Sequence, residues 1–223
     1  MKTCVIIPAF NEVEAIADIV KKIRQLNIDV LVIDDGSCDN TFRIAKESGA
    51  IVLRNETNQG KGASLIKGFD YALRNNYDAV VTMDGDGQHL PDDLHLFIQQ
   101  AMISQSDVFI GNRMQMAGNM PWIRFCTNKI MSWLISLLIK QKIPDTQCGF
   151  RLIKKNVLKK IKLNTSKFEL ESEFIIKSAR SGFKIDSVPI KTVYKGQKSS
   201  INPFIDTIRF FRFLFNQIWI TKH

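Results

Sequence analysis

The sequence predicts an α/β fold in which a mostly parallel sheet is covered by helices on both faces. Three observations support this prediction. Short runs of Val, Ile and Leu recur through the first 110 residues, and continuous apolar runs are typical of strands that are buried on both faces. Segments with the period of amphipathic helices separate these runs. Clusters of Gly, Asp and Asn follow several of the runs, where open parallel sheets bind their ligands.

Each element follows from a local pattern. The first strand, residues 4–7, is the run Cys-Val-Ile-Ile, and it ends at Pro8. A helix is predicted over 13–23 because apolar residues recur there on one helical face. Residues 29–33 form the second strand, and Gly49 stops the helix that follows it. The remaining predicted strands are residues 50–53, 79–83 and 107–110, and the remaining helices are residues 41–48, 61–75 and 91–103.

Composition excludes several classes of protein. Hydrophobic residues make up 45% and charged residues 24% of the 223 residues, which excludes a disordered chain. The four cysteines are widely separated and form no CxxC pair, so neither a zinc site nor a dense disulfide scaffold is expected. The first apolar run is too short for a signal peptide, and no run reaches the ~20 residues of a spanning helix. We expect a cytoplasmic protein that is at most peripheral to the membrane.

The charge is unevenly distributed. The whole chain carries a formal charge of +9, of which residues 1–150 contribute −2 and residues 151–223 contribute +11. A cationic surface favours nucleic acid, anionic lipid or phosphorylated substrates. We expect one catalytic domain in residues 1–200 and an amphipathic, membrane-interfacial helix in 201–223. The apolar segment 122–139 fits membrane contact and packing on the protein equally well.

An acidic cluster follows the fourth strand. Asp84, Asp86 and Gln88 occupy alternating positions, which places their side chains on one side of an extended segment. Two carboxylates and an amide oxygen suit Mg²⁺ or Mn²⁺. Gly85 and Gly87 allow a ligand to approach the backbone closely. The alternative interpretation is a polar turn in which the aspartates accept backbone N–H groups.

Three further clusters follow strands or open a helix. Asp34 and Asp35 end the second strand, where a carboxylate can accept from a ribose hydroxyl or a base N–H. The alternative role of this cluster is helix capping, with Asp39 or Ser37 as the N-cap. The first strand leads into Pro8-Ala9-Phe10-Asn11-Glu12, in which Phe10 or Glu12 could meet a base and Asn11 could cap the following helix. Lys61 opens the third helix, whose N-terminus favours a diphosphate, but the spacing of a Walker motif is absent.

The order of the motifs is more specific than any one of them. In sequence they are Pro8–Glu12, Asp34–Ser37, Asn58–Gly62, Asp84–Gln88, Gly111–Arg113, Asp145–Arg151, Phe168–Glu171 and Val188–Ile190. Over about residues 3–200 this series resembles the inverting family-2 glycosyltransferases with a GT-A fold, and within them the dolichol-phosphate and polyprenyl-phosphate mannosyltransferases.

The resemblance implies a nucleotide-diphosphate sugar as donor, GDP-mannose or a UDP-sugar, and Mg²⁺ or Mn²⁺ held by Asp84, Asp86 and Gln88. It implies a polyprenyl or dolichyl phosphate as acceptor. The residues that we expect to bind the donor or its phosphates are Pro8, Ala9, Phe10, Asn11, Glu12, Asp34, Asp35, Lys61, Asp84, Gly85, Asp86 and Lys198. The segment around Lys198 departs from the Gly-x-Ser-Lys element of this branch, because Lys and Ser are transposed.

The acceptor determines the catalytic residues. A phosphate acceptor is already ionised near pH 7, so it needs cations rather than a base, and Arg113, Arg151 and Lys198 are the candidates. A hydroxyl acceptor requires a general base, for which Asp145 is the best placed by motif. Salt bridging is the alternative role for the two arginines. His89 is expected to be structural, and one of Glu169, Glu171 and Glu173 is expected near the site.

Three alternatives remain. The chain could be a soluble glycosyltransferase that uses a hydroxyl on a glycan or small molecule. It could bind nucleic acid through its basic last third, although it carries no RNP, zinc-finger or helix-turn-helix signature. A nucleotidyltransferase also uses two carboxylates on a parallel sheet, but the basic Gly-rich loop is missing after the first strand. We expect no nucleic-acid partner and allow a homo-oligomer.

Overall fold

The computed structural model describes residues 1–116, 120–163, 169–192 and Arg212. All of these except Arg212 belong to one compact unit, Met1–Val193. Lys198 and the amphipathic helix predicted for 201–223 lie outside the described residues, apart from Arg212.

A seven-stranded sheet forms the centre of the described unit, in the order β3-β2-β1-β4-β6-β5-β7. The strands are β1 (Thr3–Ala9), β2 (Asp29–Asp34), β3 (Ile51–Arg54), β4 (Ala79–Thr82), β5 (Val108–Asn112), β6 (Arg151–Lys154) and β7 (Ile185–Pro189). Strand β6 runs antiparallel to β4 and β5, and the other pairs are parallel. The predicted mostly parallel sheet is confirmed. The antiparallel β6 and the edge strand β7 are both missing from the strands that the apolar runs predicted.

The four predicted helices lie close to their expected positions, and the described residues contain three more helices that the local patterns did not predict. Together they are α1 (Ile16–Gln25), α2 (Thr41–Glu47), α3 (Lys61–Arg74), α4 (Leu94–Ile103), α5 (Trp122–Ile139), α6 (Lys155–Lys160) and α7 (Glu169–Arg180). The helix predicted from Pro91 begins with the 3-10 turn Pro91–Asp93 before α4. Gly49 ends α2 with a φ of +96°, as predicted. Among the described residues, no helix combines the length and the apolar character needed to cross a bilayer.

Close packing of helix α3 on the sheet depends on a glycine. A Cβ atom at Gly68 would lie 2.5 Å from Cγ2 of Ile6 in β1, so a larger residue would push the helix away from the sheet. Ile6 and its neighbours in β1, β2 and β4 are fully buried. These three strands are adjacent and parallel, so their carboxyl ends meet at one edge of the sheet.

Candidate active site

The loops after β1, β2 and β4 converge at that edge, as the sequence predicted. The Asp35 N–H donates to the Ala9 carbonyl at 2.8 Å, which joins the first two loops. A Cβ atom at Gly85 would lie 3.3 Å from the Pro8 carbonyl oxygen and 3.4 Å from Cγ of Glu12. The loop after β4 therefore passes directly against the loop after β1.

Three carboxylates gather where these loops meet. Burial, reinforced by the negative charges of Asp86 and Asp84, raises the pKa of Glu12 to about 7. Asp86 Oδ1 also accepts the Gln88 N–H at 3.0 Å, which is the contact expected of a polar turn. The two aspartates add to the shift that burial causes, so negative charge is concentrated at this corner of the site.

Lys61 binds two carboxylates from distant parts of the chain. Its Nζ lies 2.5 Å from Asp84 Oδ1 and 2.7 Å from Glu171 Oε1. Burial opposes the charge of the ammonium group, but the two carboxylates outweigh burial and raise the pKa of Lys61. Burial likewise opposes ionisation of Asp84, and the charge of Lys61 overcomes it to lower the pKa of Asp84. The Lys61 side chain is therefore a fixed cation in this cluster.

Gly149 makes room for this ion pair. A Cβ atom there would lie 2.8 Å from Asp84 Oδ2 and 2.9 Å from Lys61 Nζ. The structure also selects among the glutamates of α7. Glu171 contacts Lys61, whereas Glu173 pairs with Lys177 at 2.6 Å.

The donor atoms at this edge fit a hard divalent cation. Asp84 and Asp86 supply carboxylate oxygens, which Mg²⁺ and Mn²⁺ prefer, and the pKa of Glu12 indicates negative charge that a cation would offset. Within the described ranges, no group of three or more His, Cys, Asp or Glu side chains is arranged to hold a metal ion. Metal binding through Asp84, Asp86 and Gln88 stays a prediction.

The two aspartates after β2 have different surroundings. Asp35 Oδ1 accepts from Asn55 Nδ2 at 2.7 Å and from the Gln59 N–H at 3.0 Å, and Oδ2 accepts the Gly60 N–H at 2.8 Å. Asp35 thus holds the loop that leads into α3 and its Lys61. Asp34 is fully buried, and its Oδ2 lies 3.1 Å from Arg54 Nε without forming a hydrogen bond.

The expected cap of the first helix is wrong. Asn11 has a left-handed φ of 58° and its Oδ1 accepts the Cys38 N–H at 2.9 Å, so it joins two loops instead of capping α1. The physical reason is that the chain makes a further turn before α1, in which the Ile16 N–H donates to the Glu12 carbonyl. Phe10 beside it is 42% exposed and is available to stack on a base.

Arg113 and Asp145 form a buried ion pair on the other side of the site. Arg113 Nε and Nη2 donate to Asp145 Oδ2 and Oδ1 at 2.7 and 2.9 Å. The arginine is 5% and the aspartate 1% exposed. Both oxygens of the proposed base therefore already accept hydrogen bonds from a guanidinium group.

Arg151 fastens a loop to α7. Its Nε, Nη2 and Nη1 donate to the carbonyls of Cys148, Thr146 and Glu171 at 2.7, 3.0 and 2.9 Å. The side chain is buried, so these three bonds hold the loop after Asp145 in place. The proposed contact of Arg151 with a phosphate stays a prediction.

His89 has the surroundings of a structural residue. It is 4% exposed, and its Nε2 lies 3.9 Å from Cys148 Sγ. Burial lowers the pKa of His89, although the charge of Asp84 acts against this shift. The imidazole is therefore neutral at pH 7 and packs beneath Asp84.

Replacing Glu12 with glutamine is expected to stabilise the metal-free protein at pH 8 by about 2–4 °C in Tm. Folding raises the pKa of Glu12 from 4.5 to about 7, so the folded state must bury a charge as the pH rises through that range. Glutamine removes this cost, and the increase in Tm should be small at pH 4.5. Differential scanning fluorimetry across pH 4.5–8 measures it.

Glu14→Gln is the matched control, because Glu14 is exposed and two residues away. Its Tm difference from the wild type should not change with pH. An equal increase in the Tm of Glu12→Gln at pH 4.5 and at pH 8 would contradict the raised pKa of Glu12.

The sheet with one inserted antiparallel strand, and the acidic edge that it carries, have the architecture of the GT-A fold. The family model described as glycosyl transferase family 2 matches residues 4–162. The chain belongs to this family, and the predicted fold class and enzyme class are confirmed.

Relatives and solved structures agree with this assignment. The chain is 32% identical to the UDP-N-acetylglucosamine–dolichyl-phosphate N-acetylglucosaminyltransferase of Methanococcus voltae, over 85% of this chain and 84% of that protein. It is 32% identical to the polyprenol monophosphomannose synthase of Mycolicibacterium smegmatis, over 85% and 76%. The glucosyl-3-phosphoglycerate synthase of Mycobacterium tuberculosis, solved with Mn²⁺, UDP and phosphoglyceric acid, has the same fold, with a TM-score of 0.72, 20% identity and coverage of 88% and 72%.

Proposed function

We propose that this glycosyltransferase transfers a sugar, with inversion, from GDP-mannose or a UDP-sugar to a polyprenyl or dolichyl phosphate. The observation that carries the choice of acceptor is the buried pair of Arg113 and Asp145. A hydroxyl nucleophile needs an available base, and both oxygens of Asp145 are engaged by Arg113. A phosphate monoester is already anionic near pH 7 and needs no such base. The two relatives named for lipid-phosphate acceptors support the same choice.

The acidic edge is the proposed donor site. Asp84 and Asp86 would hold Mg²⁺ or Mn²⁺, which when bound offsets the negative charge that develops on the leaving diphosphate. Gln88 is proposed as a further ligand. Lys61 lies at Asp84, and its ammonium group is proposed to bind the diphosphate as well. Phe10, at the end of β1, is proposed to stack on the base. A relative in fold was solved with Mn²⁺ and UDP together, which supports this arrangement.

Lipid acceptors place the reaction at a membrane. We propose that the protein acts at the cytoplasmic face, and that residues 201–223 contribute an amphipathic contact with the surface. Lys198, just before this segment, is proposed to bind a phosphate. The formal charge of +11 on residues 151–223 supports attraction to anionic lipid headgroups.

The test is a transfer assay with the full chain and a matrix of donors and acceptors. GDP-mannose, UDP-glucose and UDP-N-acetylglucosamine are each combined with a short-chain polyprenyl phosphate, the matching polyprenol and a soluble sugar. We expect transfer from one donor to the phosphate alone, and loss of transfer when EDTA replaces Mn²⁺ or Mg²⁺. Transfer to the polyprenol or the soluble sugar, with none to the phosphate, would contradict the proposal and favour the hydroxyl-acceptor alternative.

A further inference from the structure

Helix α5 presents its apolar side to solvent. Its large exposed apolar residues are Trp122, Ile123, Ile130, Trp133 and Leu137, with exposed fractions of 74, 70, 55, 63 and 66%. An α-helix turns by about 100° per residue, so these side chains fall within one sector of roughly 100°. They form a continuous apolar surface along the helix, which we call the α5 stripe.

The opposite side of α5 is packed and largely polar. Its buried residues are Asn128, Ser132 and Ile135. The Thr146 N–H donates to Ser132 Oγ at 2.9 Å, and the Ile143 N–H donates to Ser136 Oγ at 2.9 Å. An amphipathic helix on a water-soluble protein normally packs its apolar side inward. In α5, polar residues are buried while large apolar residues are exposed, which suits an apolar medium outside the protein.

Cations surround the stripe and carboxylates are missing from it. Residues 108–144 contain five Lys and Arg residues and no Asp or Glu. Lys129 and Lys140 are exposed. Helical spacing places Lys129 beside the stripe, and Lys140 directly follows the last residue of α5. Long lysine side chains can keep the ammonium group among lipid headgroups while the neighbouring apolar groups enter the membrane. Tryptophan and lysine on an apolar helix face are typical of helices that lie in an anionic interface.

We propose that the α5 stripe docks on an anionic phospholipid surface, with α5 lying in the plane of the interface. A second copy of the chain is a poorer partner, because a two-fold contact through the stripe would bring the lysines of both copies together. Docking through α5 does not depend on the identity of the donor or the acceptor. One consequence rests on the proposed function: Ser132 holds Thr146, the neighbour of Asp145, so docking would bring the acceptor side of the site to the lipid.

Flotation of the full chain with vesicles tests the proposal. The triple variant Trp122→Ser/Trp133→Ser/Leu137→Ser is expected to bind phosphatidylglycerol-containing vesicles about tenfold or more weakly than the wild type. The control is Met102→Ser/Ile103→Ser, since these side chains at the end of α4 are 73 and 79% exposed. It should float like the wild type. Wild-type binding by the triple variant, folded as judged by its Tm, would overturn the proposal.

A charge-matched pair tests the role of the lysines. Lys129→Glu/Lys140→Glu should lose most of its binding to vesicles that contain phosphatidylglycerol. Lys21→Glu/Lys46→Glu changes the net charge equally at exposed positions on α1 and α2 and should retain binding. Equal losses in both variants would show that binding follows net charge alone and would overturn docking through α5.

Tryptophan quenching locates the contact. The chain has three tryptophans, so Trp219→Phe leaves both remaining indoles, Trp122 and Trp133, on α5. We expect brominated phospholipid to quench their fluorescence. Flotation without quenching would assign docking to another segment, such as residues 201–223, and a dimer that the triple variant dissociates would assign the stripe to a subunit contact. Either result would overturn the proposal.

The same variants separate this inference from the proposed function. Transfer to a water-soluble, short-chain polyprenyl phosphate requires no membrane, so the triple variant should retain it. If the triple variant still bound vesicles like the wild type, and both transferred sugar to the short-chain phosphate, the inference alone would be refuted. Intact docking without transfer to any polyprenyl phosphate would refute the proposed function alone.

Discussion

Replacing Asp84 with asparagine is expected to reduce sugar transfer by roughly 10²- to 10³-fold or more. The change removes a carboxylate from the proposed cation site and also removes the partner that Lys61 binds at 2.5 Å. Initial rates at saturating donor and Mn²⁺ measure the loss, and calorimetric titration with Mn²⁺ measures binding directly. Asp92→Asn is the control, because Asp92 is an exposed carboxylate on the next loop. Full activity of Asp84→Asn would refute the assignment of this residue.

Lys61→Gln separates the two roles of Asp84. Lys61 pairs with Asp84, so removal of its charge should tighten Mn²⁺ binding while slowing transfer. If Asp84 serves only to anchor Lys61, Lys61→Gln and Asp84→Asn should slow transfer equally and neither should change the affinity for Mn²⁺.

Replacing Asp145 with alanine is expected to lower the stability of the protein by about 3–5 kcal/mol, because it leaves the buried guanidinium of Arg113 without its partner. This loss corresponds to a fall in Tm of about 10 °C. Thermal unfolding followed by circular dichroism measures it. Asp70→Ala, at an exposed position, should change stability by less than about 0.5 kcal/mol.

A double variant distinguishes an ion pair from a catalytic base. Replacing the pair with apolar residues, as in Arg113→Met/Asp145→Leu, should recover much of the stability lost in Asp145→Ala. If Asp145 acts as a base, Asp145→Asn should in addition lose transfer to a hydroxyl acceptor and the acidic limb of the pH–rate profile.

Local sequence patterns were sufficient to predict the part of the site that lies at the ends of strands. The loops after β1, β2 and β4 were predicted to converge because continuous apolar runs identify buried parallel strands, and such strands point their carboxyl ends to one edge. Asp84, Asp86, Glu12 and Asp35 all lie at that edge. Asn11 was misjudged, because asparagine favours both helix caps and left-handed turns, so the residue type alone does not choose between them.

Local patterns did not predict strand β6, and they did not distinguish among the glutamates of α7. Strand β6 is the four-residue segment Arg-Leu-Ile-Lys, which is too short for its period to identify it, and its antiparallel direction depends on the route of the chain through α5. The sequence offered Glu169, Glu171 and Glu173 without distinction. The packing of α7 against the sheet directs Glu171 to Lys61 and Glu173 to Lys177.

The sequence by itself determined the sheet class, the acidic edge and the family, because each of these follows from the order of short segments along the chain. Only the tertiary structure decided which charges meet. Lys61 and Glu171 are 110 positions apart and Arg113 and Asp145 are 32 apart, so these contacts depend on strand order and helix packing that no local pattern records. The same is true of α5, whose composition fits membrane contact and packing on the protein equally well. Only the tertiary structure shows that Asn128 and Ser132 are buried and that Trp122 and Trp133 are exposed.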